Sequence, residues 1–184
     1  DISETDAIGD VVQSLEVYKN KLIVLINNSH KIKIYDITSD GLSMPGIEVS
    51  TDNSSPREMV VVDDIVYFTN WNTSDVKMFN LTTYNIDGSI PVGILPEGII
   101  SDGDKLWIAN SGENTVSEIN INTLLETKHI TGLGPQHLAK YNDDIYVSRT
   151  YYDSDWIATH GTSKISSEIL INDYGIGAAC GGAI

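Results

Sequence analysis

The chain has 184 residues with 11 basic and 26 acidic side chains, and its formal net charge is −15. Acid in this excess repels a phosphate backbone, which excludes nucleic-acid binding, and no run of about 18 apolar residues is present to span a membrane. The single cysteine, Cys180, provides neither a disulfide framework nor a cysteine-rich zinc site.

A repeat of about 40 residues organises the sequence. A weak first copy begins at Val12, and clearer copies begin at Pro56, Pro96 and Pro135. Each clear copy has a proline, a short apolar run, an acidic or Asn/Gly turn and a second run with an aromatic residue. A fixed period in this range indicates stacked supersecondary units. We expect one region over 1–184, with repeats at approximately 8–50, 51–91, 92–131 and 132–176.

Within one repeat the pattern is entirely β. In the third copy, Gly/Asp/Asn/Ser turns separate four apolar runs, at 99–100, 106–110, 115–121 and 125–130. Short strands with such turns are typical of β-meanders, and no window shows an apolar stripe at helical spacing. Four strands in about 40 residues are typical of a β-propeller blade. The sequence therefore predicts an all-β fold of propeller blades, each with four antiparallel strands.

The repeats also predict a register. The three prolines should stand just before or at the start of each first strand, where proline removes no ladder hydrogen bond. Tyr67, Trp107 and Tyr146 should occupy equivalent positions on the second strands. Because large aromatic side chains supply much of a packed contact, we expect them to lie between neighbouring blades.

The segment WIANSGENTVSEININT, at 107–123, resembles the YVTN-type repeats of bacterial and archaeal surface-layer β-propellers. That repeat runs through G-x-x-P, a strand ending in aromatic-V-A-N, and a T-V-S strand. MFNLTT at 78–83 and IYDITS at 34–39 are looser matches. The resemblance covers nearly the whole chain and implies a propeller fold at an extracellular, cell-surface or periplasmic location. It implies no particular activity, because one fold hosts many functions.

Residues 177–184 align with 93–100, so they are expected to form the first strand of a fifth repeat. The chain would then contain about four blades and that strand. An incomplete ring of blades leaves faces and strand edges uncovered. We therefore expect either a longer propeller or a homodimer in which a second copy completes the ring.

The opening residues of the first strands form the first candidate site, because these strands line the channel of a propeller. They are polar and of mixed charge: Arg57, Glu58, Glu97, Gln136 and His137. One interpretation is that they bind a polar ligand, or supply acid and base as in propeller lyases and lactonases. The other is a water-filled channel with ordinary solvated ends.

The second candidate is an unusually long loop at 148–164, where the third repeat has only a four-residue turn. Long loops with tyrosine and tryptophan often make contacts with ligands or partners. Together with Trp71 the loop would give one rim an aromatic character; alternatively, it packs on its own blade. The candidate residues are Tyr151, Tyr152, Trp156 and His160.

The histidines fall at unrelated places in the repeat, so no metal site is predicted, and the sequence identifies no cofactor. We expect a non-enzymatic, exported binding or scaffold propeller that recognises a small molecule, a glycan or a protein at the channel mouth and aromatic rim. One alternative is a propeller hydrolase or lyase that uses His137, Glu97 and Glu58. Another is a purely structural surface-layer repeat.

Overall fold

The computed structural model describes residues 11–166 and 169–170, and these residues form β-strands and no helix. All strand pairs are antiparallel. The all-β prediction is therefore confirmed for this part of the chain. In chain order, the strands β1 to β9 are Val12–Tyr18, Lys21–Ile26, Lys31–Thr38, Gly41–Leu42, Ile47–Ser50, Pro56–Val62, Ile65–Asn70, Asp75–Asn80 and Asn85–Pro91. The strands β10 to β17 are Pro96–Asp102, Lys105–Asn110, Thr115–Asn120, Glu126–Ile130, Pro135–Tyr141, Asp144–Tyr152, Ala158–Ser166 and Ile169–Leu170.

The strands form four sheets, which we number in chain order. Sheet 2 (β6 to β9), sheet 3 (β10 to β13) and sheet 4 (β14 to β17) are four-stranded meanders, in which each strand pairs with the next. Sheet 1 (β1 to β5) departs from the predicted four strands. Its strand β3 is long enough to pair with β5 over 31–34 and with the short strand β4 at Ile37 and Thr38.

The strands β6, β10 and β14 begin at Pro56, Pro96 and Pro135, as the sequence predicted. Each proline stands opposite a residue of the second strand, namely Asn70, Asn110 or Arg149. Because proline carries no backbone N–H, the first position of a strand is where it costs the ladder least.

Neighbouring sheets pack face to face through apolar cores. Core 1, between sheets 1 and 2, places Ile23 and Leu25 against Val66, Phe68 and Phe79. Successive side chains of a strand point to opposite faces, so the residues that alternate with Val66 and Phe68 face the next sheet. Sheet 2 therefore contributes to two cores.

The same alternation continues along the row of sheets. Core 2 joins Tyr67 and Val76 of sheet 2 to Leu106, Ile108 and Ile119 of sheet 3. The residues of sheet 3 that face the other way belong to the next core.

Core 3, between sheets 3 and 4, places Trp107 and Val116 against Ile145, Val147 and Ile165. Trp107 is the third residue of β11, as Tyr67 is of β7, and both side chains are buried between sheets. The predicted register is thus confirmed at these two aromatic positions.

Tyr146 is likewise the third residue of its strand, β15, but its side chain is only half-buried. Tyr146 therefore occupies the predicted strand position, but it is not fully buried between blades as predicted. Its contact is with Lys164, whose ammonium group lies over the ring at 5.9 Å from the centroid.

The first strands of the sheets lie side by side, with β6 between β1 and β10, and β10 between β6 and β14. The row is not closed into a ring in the part of the chain that the structure describes, so a propeller ring stays a prediction. The expected strand of a fifth repeat, 177–184, lies outside the described residues. Among the residues described, no helix is long and apolar enough to cross a membrane.

Trp107→Ala should lower the free energy of unfolding by about 3–5 kcal/mol, because it leaves a large cavity in core 3. The matched control is Trp156→Ala, since Trp156 is 82% exposed and its truncation opens no cavity. Both values can be measured by urea denaturation. A loss below about 1 kcal/mol for Trp107→Ala would contradict the packing described here.

Candidate ligand-binding edge

The edge of the sheets at which β1, β6, β10 and β14 begin is called the strand-start edge here. Each of these strands has a register shift within its first residues, where one extra residue leaves the ladder. Such β-bulges bend a strand and re-aim its side chains. The bulged residues include the five polar candidates predicted from sequence, namely Arg57, Glu58, Glu97, Gln136 and His137, together with Gln13 and Gly98.

Hydroxyl groups on the second strands hold two of these bulges. The backbone N–H of Glu58 donates to Thr69 Oγ1 at 3.1 Å, and that of His137 donates to Ser148 Oγ at 3.2 Å. Thr69 and Ser148 are each the fifth residue of their strand, and Thr69 also donates to the carbonyl of Glu97 at 2.6 Å. These supports were not predicted from the sequence, although a Ser or Thr recurs at this position in the second and fourth repeats.

Arg57, Glu97 and Trp71 form one tightly connected group, the anchor cluster. Arg57 Nε lies 3.1 Å from both carboxylate oxygens of Glu97, and Nη2 lies 2.5 Å from one of them. The Trp71 indole N–H donates to the other oxygen at 2.7 Å, and the guanidinium group lies over the Trp71 ring at 4.2 Å. Arg57 Nη1 also donates to Gln13 at 3.0 Å. The anchor cluster therefore connects sheets 1, 2 and 3.

Glu58 and His137 form a second, more open group. The Glu58 carboxylate accepts a hydrogen bond from Ser14 Oγ at 3.3 Å and is half-buried. Burial raises the pKa of Glu58 above its ordinary value, although Ser14 and the nearby His137 act in the opposite direction. Unlike Glu97, this carboxyl group has acceptor capacity left for a ligand.

Gly98 allows the fourth sheet to reach this group. A side chain there would collide with the backbone carbonyl of Gln136, so β10 and β14 can approach closely only because position 98 lacks one. The backbone of Gln136 and His137 is thereby held against the bulge of sheet 3.

The segment 148–164 is not the long loop that the sequence predicted. The strands β15 and β16 have nine residues each and pair from Ile145 with Ile165 up to Tyr152 with Ala158. Only 153–157 remain as a turn. Threonine and aromatic residues favour β-strands. Pairing of the two strands satisfies the backbone hydrogen-bonding groups that a loop would leave exposed.

We call residues 150–160 the rim hairpin. Pro135, the first residue of β14, pairs with Arg149, so the hairpin projects beyond the strand-start edge. Trp156 is 82% exposed, and Tyr151 and Tyr152 are exposed as well, which rules out the alternative that the aromatic residues are buried locally.

The rings of Tyr152 and Trp156 lie 6.2 Å apart, and His160 is half-buried with Nδ1 3.2 Å from Thr150 Oγ1. Trp71 does not extend this aromatic surface, because its ring and indole N–H are engaged in the anchor cluster. The candidate residues thus fall into three groups along one edge. In the described part of the chain, no three His, Cys, Asp or Glu residues are placed to hold a metal ion.

No protein-family model matches the chain, and no curated protein matches its sequence. Its fold is similar to that of Kuenenia stuttgartiensis hydrazine synthase, with a TM-score of 0.71 and 17% identity over 84% of this chain and 45% of that chain. The computationally designed Ika4 protein has a TM-score of 0.65 and 14% identity over 86% of this chain and 94% of that chain. The designed Ika8 protein has a TM-score of 0.60 and 13% identity over 89% and 61%. These likenesses concern the fold alone, and the chain spans less than half the length of the hydrazine synthase chain.

Arg57→Met should destabilise the protein by about 3 kcal/mol, because it leaves the buried Glu97 carboxylate without its cation. Adding Glu97→Gln to the variant should restore much of that loss, since the unpaired charge is then removed. The control is Lys19→Met, which breaks the exposed pair with Asp64 and should leave the denaturation midpoint unchanged. Equal effects of Arg57→Met and Lys19→Met in urea denaturation would show that the anchor cluster is not structural.

Proposed function

We propose that this chain is the blade region of an exported β-propeller that binds a polar ligand at the strand-start edge without covalent chemistry. The observation that carries the proposal is the set of bulges that directs polar side chains of all four sheets to one edge. The proposed propeller fold is supported by meander sheets whose first strands lie side by side. Membership of the YVTN-type family and an extracellular, cell-surface or periplasmic location rest on the repeat resemblance.

The two polar groups have different roles in this proposal. The anchor cluster satisfies its own hydrogen bonds and fixes the positions of the bulges. Glu58 and His137 are held in place but carry free hydrogen-bonding capacity, so they can accept from and donate to a ligand. A site fixed before binding loses less conformational entropy when the ligand arrives.

An acid–base enzyme is the second candidate. Its supporting observation is Glu58, a half-buried carboxyl group with a raised pKa close to an imidazole. Glu97, by contrast, is occupied by Arg57 and Trp71 and is poorly placed to exchange protons with a substrate. A hydrolase or lyase would therefore depend on Glu58 and His137.

The binding proposal is tested by ¹⁵N NMR titration of the chain with a library of polar small molecules and neutral oligosaccharides. We expect shifts at Glu58, Gln136 and His137, and Glu58→Gln or His137→Ala should weaken binding about tenfold. The control is Glu16→Gln, the same substitution on β1 away from the bulge.

Shifts confined to the opposite edge of the sheets would contradict the proposal. Chemical conversion of a bound compound, lost in Glu58→Gln, would favour the enzyme. No binding by any probe would favour a purely structural surface-layer repeat.

We also propose that a second copy covers the outer face of β1. Leu15 and Val17 correspond in register to Met59 and Val61, which pack into core 1 against the preceding sheet. On β1 these apolar side chains are 59% and 60% exposed. A two-fold arrangement in which each copy covers the other's β1 would bury them and complete the row of sheets.

Sedimentation velocity should then show a dimer, and Leu15→Lys should convert it to a monomer because the charge would be buried at the interface. Ile130→Lys is the matched control, since Ile130 is also exposed but lies on β13 of sheet 3. A wild-type chain that is monomeric at roughly 100 μM would contradict the dimer.

A further inference from the structure

The tip of the rim hairpin is a rigid turn. Asp153 Oδ1 accepts hydrogen bonds from the backbone N–H groups of Asp155 and Ile157, both at 2.9 Å. The Trp156 N–H donates to the Asp153 carbonyl at 3.1 Å, and the Asp153 N–H donates to the Ile157 carbonyl at 3.2 Å. One aspartate therefore organises the backbone of the whole turn.

This turn displays Trp156 at an energetic cost. The residue has a φ of +59°, in the left-handed region that is unfavourable for a side chain with a Cβ atom. Its indole is 82% exposed, so folding gains little from its burial. Other turns of this chain place a non-glycine residue in the same region, Tyr84 and Leu124 among them, so the large exposed ring is what distinguishes this turn. Tryptophan and tyrosine rings at such positions offer a large contact area to a ligand.

Tyr152 supplies a second ring beside the first. The two ring centroids are 6.2 Å apart and the planes meet at 52°, so the rings contact each other and form one exposed aromatic surface. Tyr152 pairs across the ladder with Ala158, whose small side chain leaves the tyrosine ring accessible. Tyr151, its neighbour in sequence, points to the opposite face of the hairpin.

Charge and size limit which ligands can bind to this aromatic surface. Asp153 and Asp155 make the tip acidic on a chain of net charge −15, which disfavours nucleic acids and anionic lipid surfaces. A stable protein interface needs about 800 Å² from each partner, far more than a five-residue turn presents. A sugar ring needs only an aromatic face for its C–H groups and acceptors for its hydroxyl groups.

We propose that the rim hairpin binds a neutral carbohydrate, with one sugar ring stacked on the exposed aromatic surface of Tyr152 and Trp156. The Asp155 carboxylate, which the turn leaves free, accepts hydrogen bonds from the sugar hydroxyl groups. This inference rests on the proposed binding function and names its ligand class. It adds a contact surface that is separate from Glu58 and His137.

The test is a titration with three neutral hexasaccharides: cellohexaose, maltohexaose and N-acetylchitohexaose. The chain has three tryptophans, and their indole N–H signals can be followed separately by NMR. We expect saturable shifts of the Trp156 indole with at least one sugar, and Trp156→Ala or Tyr152→Ala should weaken binding about tenfold. The control is Tyr141→Ala, which removes an exposed tyrosine at the far end of β14.

Trp156→Ala should keep the wild-type circular dichroism spectrum and urea midpoint, which separates lost binding from lost folding. No Trp156 shift with any of the sugars at roughly 10 mM would overturn the carbohydrate inference. Equal affinity for wild type and Trp156→Ala would overturn it as well. In either case, ligand-induced shifts at Glu58 and His137 would still support ligand binding at the strand-start edge. The absence of shifts both there and at Trp156 would contradict the proposed function and the carbohydrate inference together.

Discussion

The face-to-face packing of successive sheets is the constraint on which the rest of the structure depends. Sheets 2 and 3 each contribute one face to the core before them and the other face to the core after them, through alternating residues such as Val66 and Tyr67. Because both faces of the second strands are largely apolar, these strands have little freedom to carry function. The polar candidate side chains therefore lie at the strand ends, where the backbone hydrogen-bond ladder can be interrupted.

The bulges show how such an interruption is stabilised. A residue that leaves the ladder frees backbone donors, and these must find partners if they are buried. Thr69 and Ser148 supply hydroxyl groups for this purpose, and Arg57 with Glu97 connects neighbouring sheets at the same level. The site and the fold are thus stabilised by the same contacts.

The sequence predicted most of the features that repeat. The proline positions and the buried aromatics Tyr67 and Trp107 follow from the period, because equivalent positions in stacked units have equivalent surroundings. It was a poor guide to the segment 148–164, whose Asp, Ser and Gly residues resemble a loop while its Thr and Tyr residues form a ladder. Because the extra residues of this segment occur in only one repeat, no equivalent segment could resolve that ambiguity. The bulges were also missed, since a shift of one residue leaves no trace in composition.

The bulges have a consequence for how such a protein changes over generations. Bulged positions 57, 97 and 136 are at the same place in their strands, yet they carry Arg, Glu and Gln, residues of opposite charge and no charge. The cores beneath them repeat the same alternation of apolar side chains. A substitution at the bulge that keeps the contacts between the sheets therefore changes the charge of the strand-start edge and leaves the cores unchanged, so duplicated repeats can diverge there independently. The strand-start edge is the part of the molecule whose charge can change with the least effect on the cores.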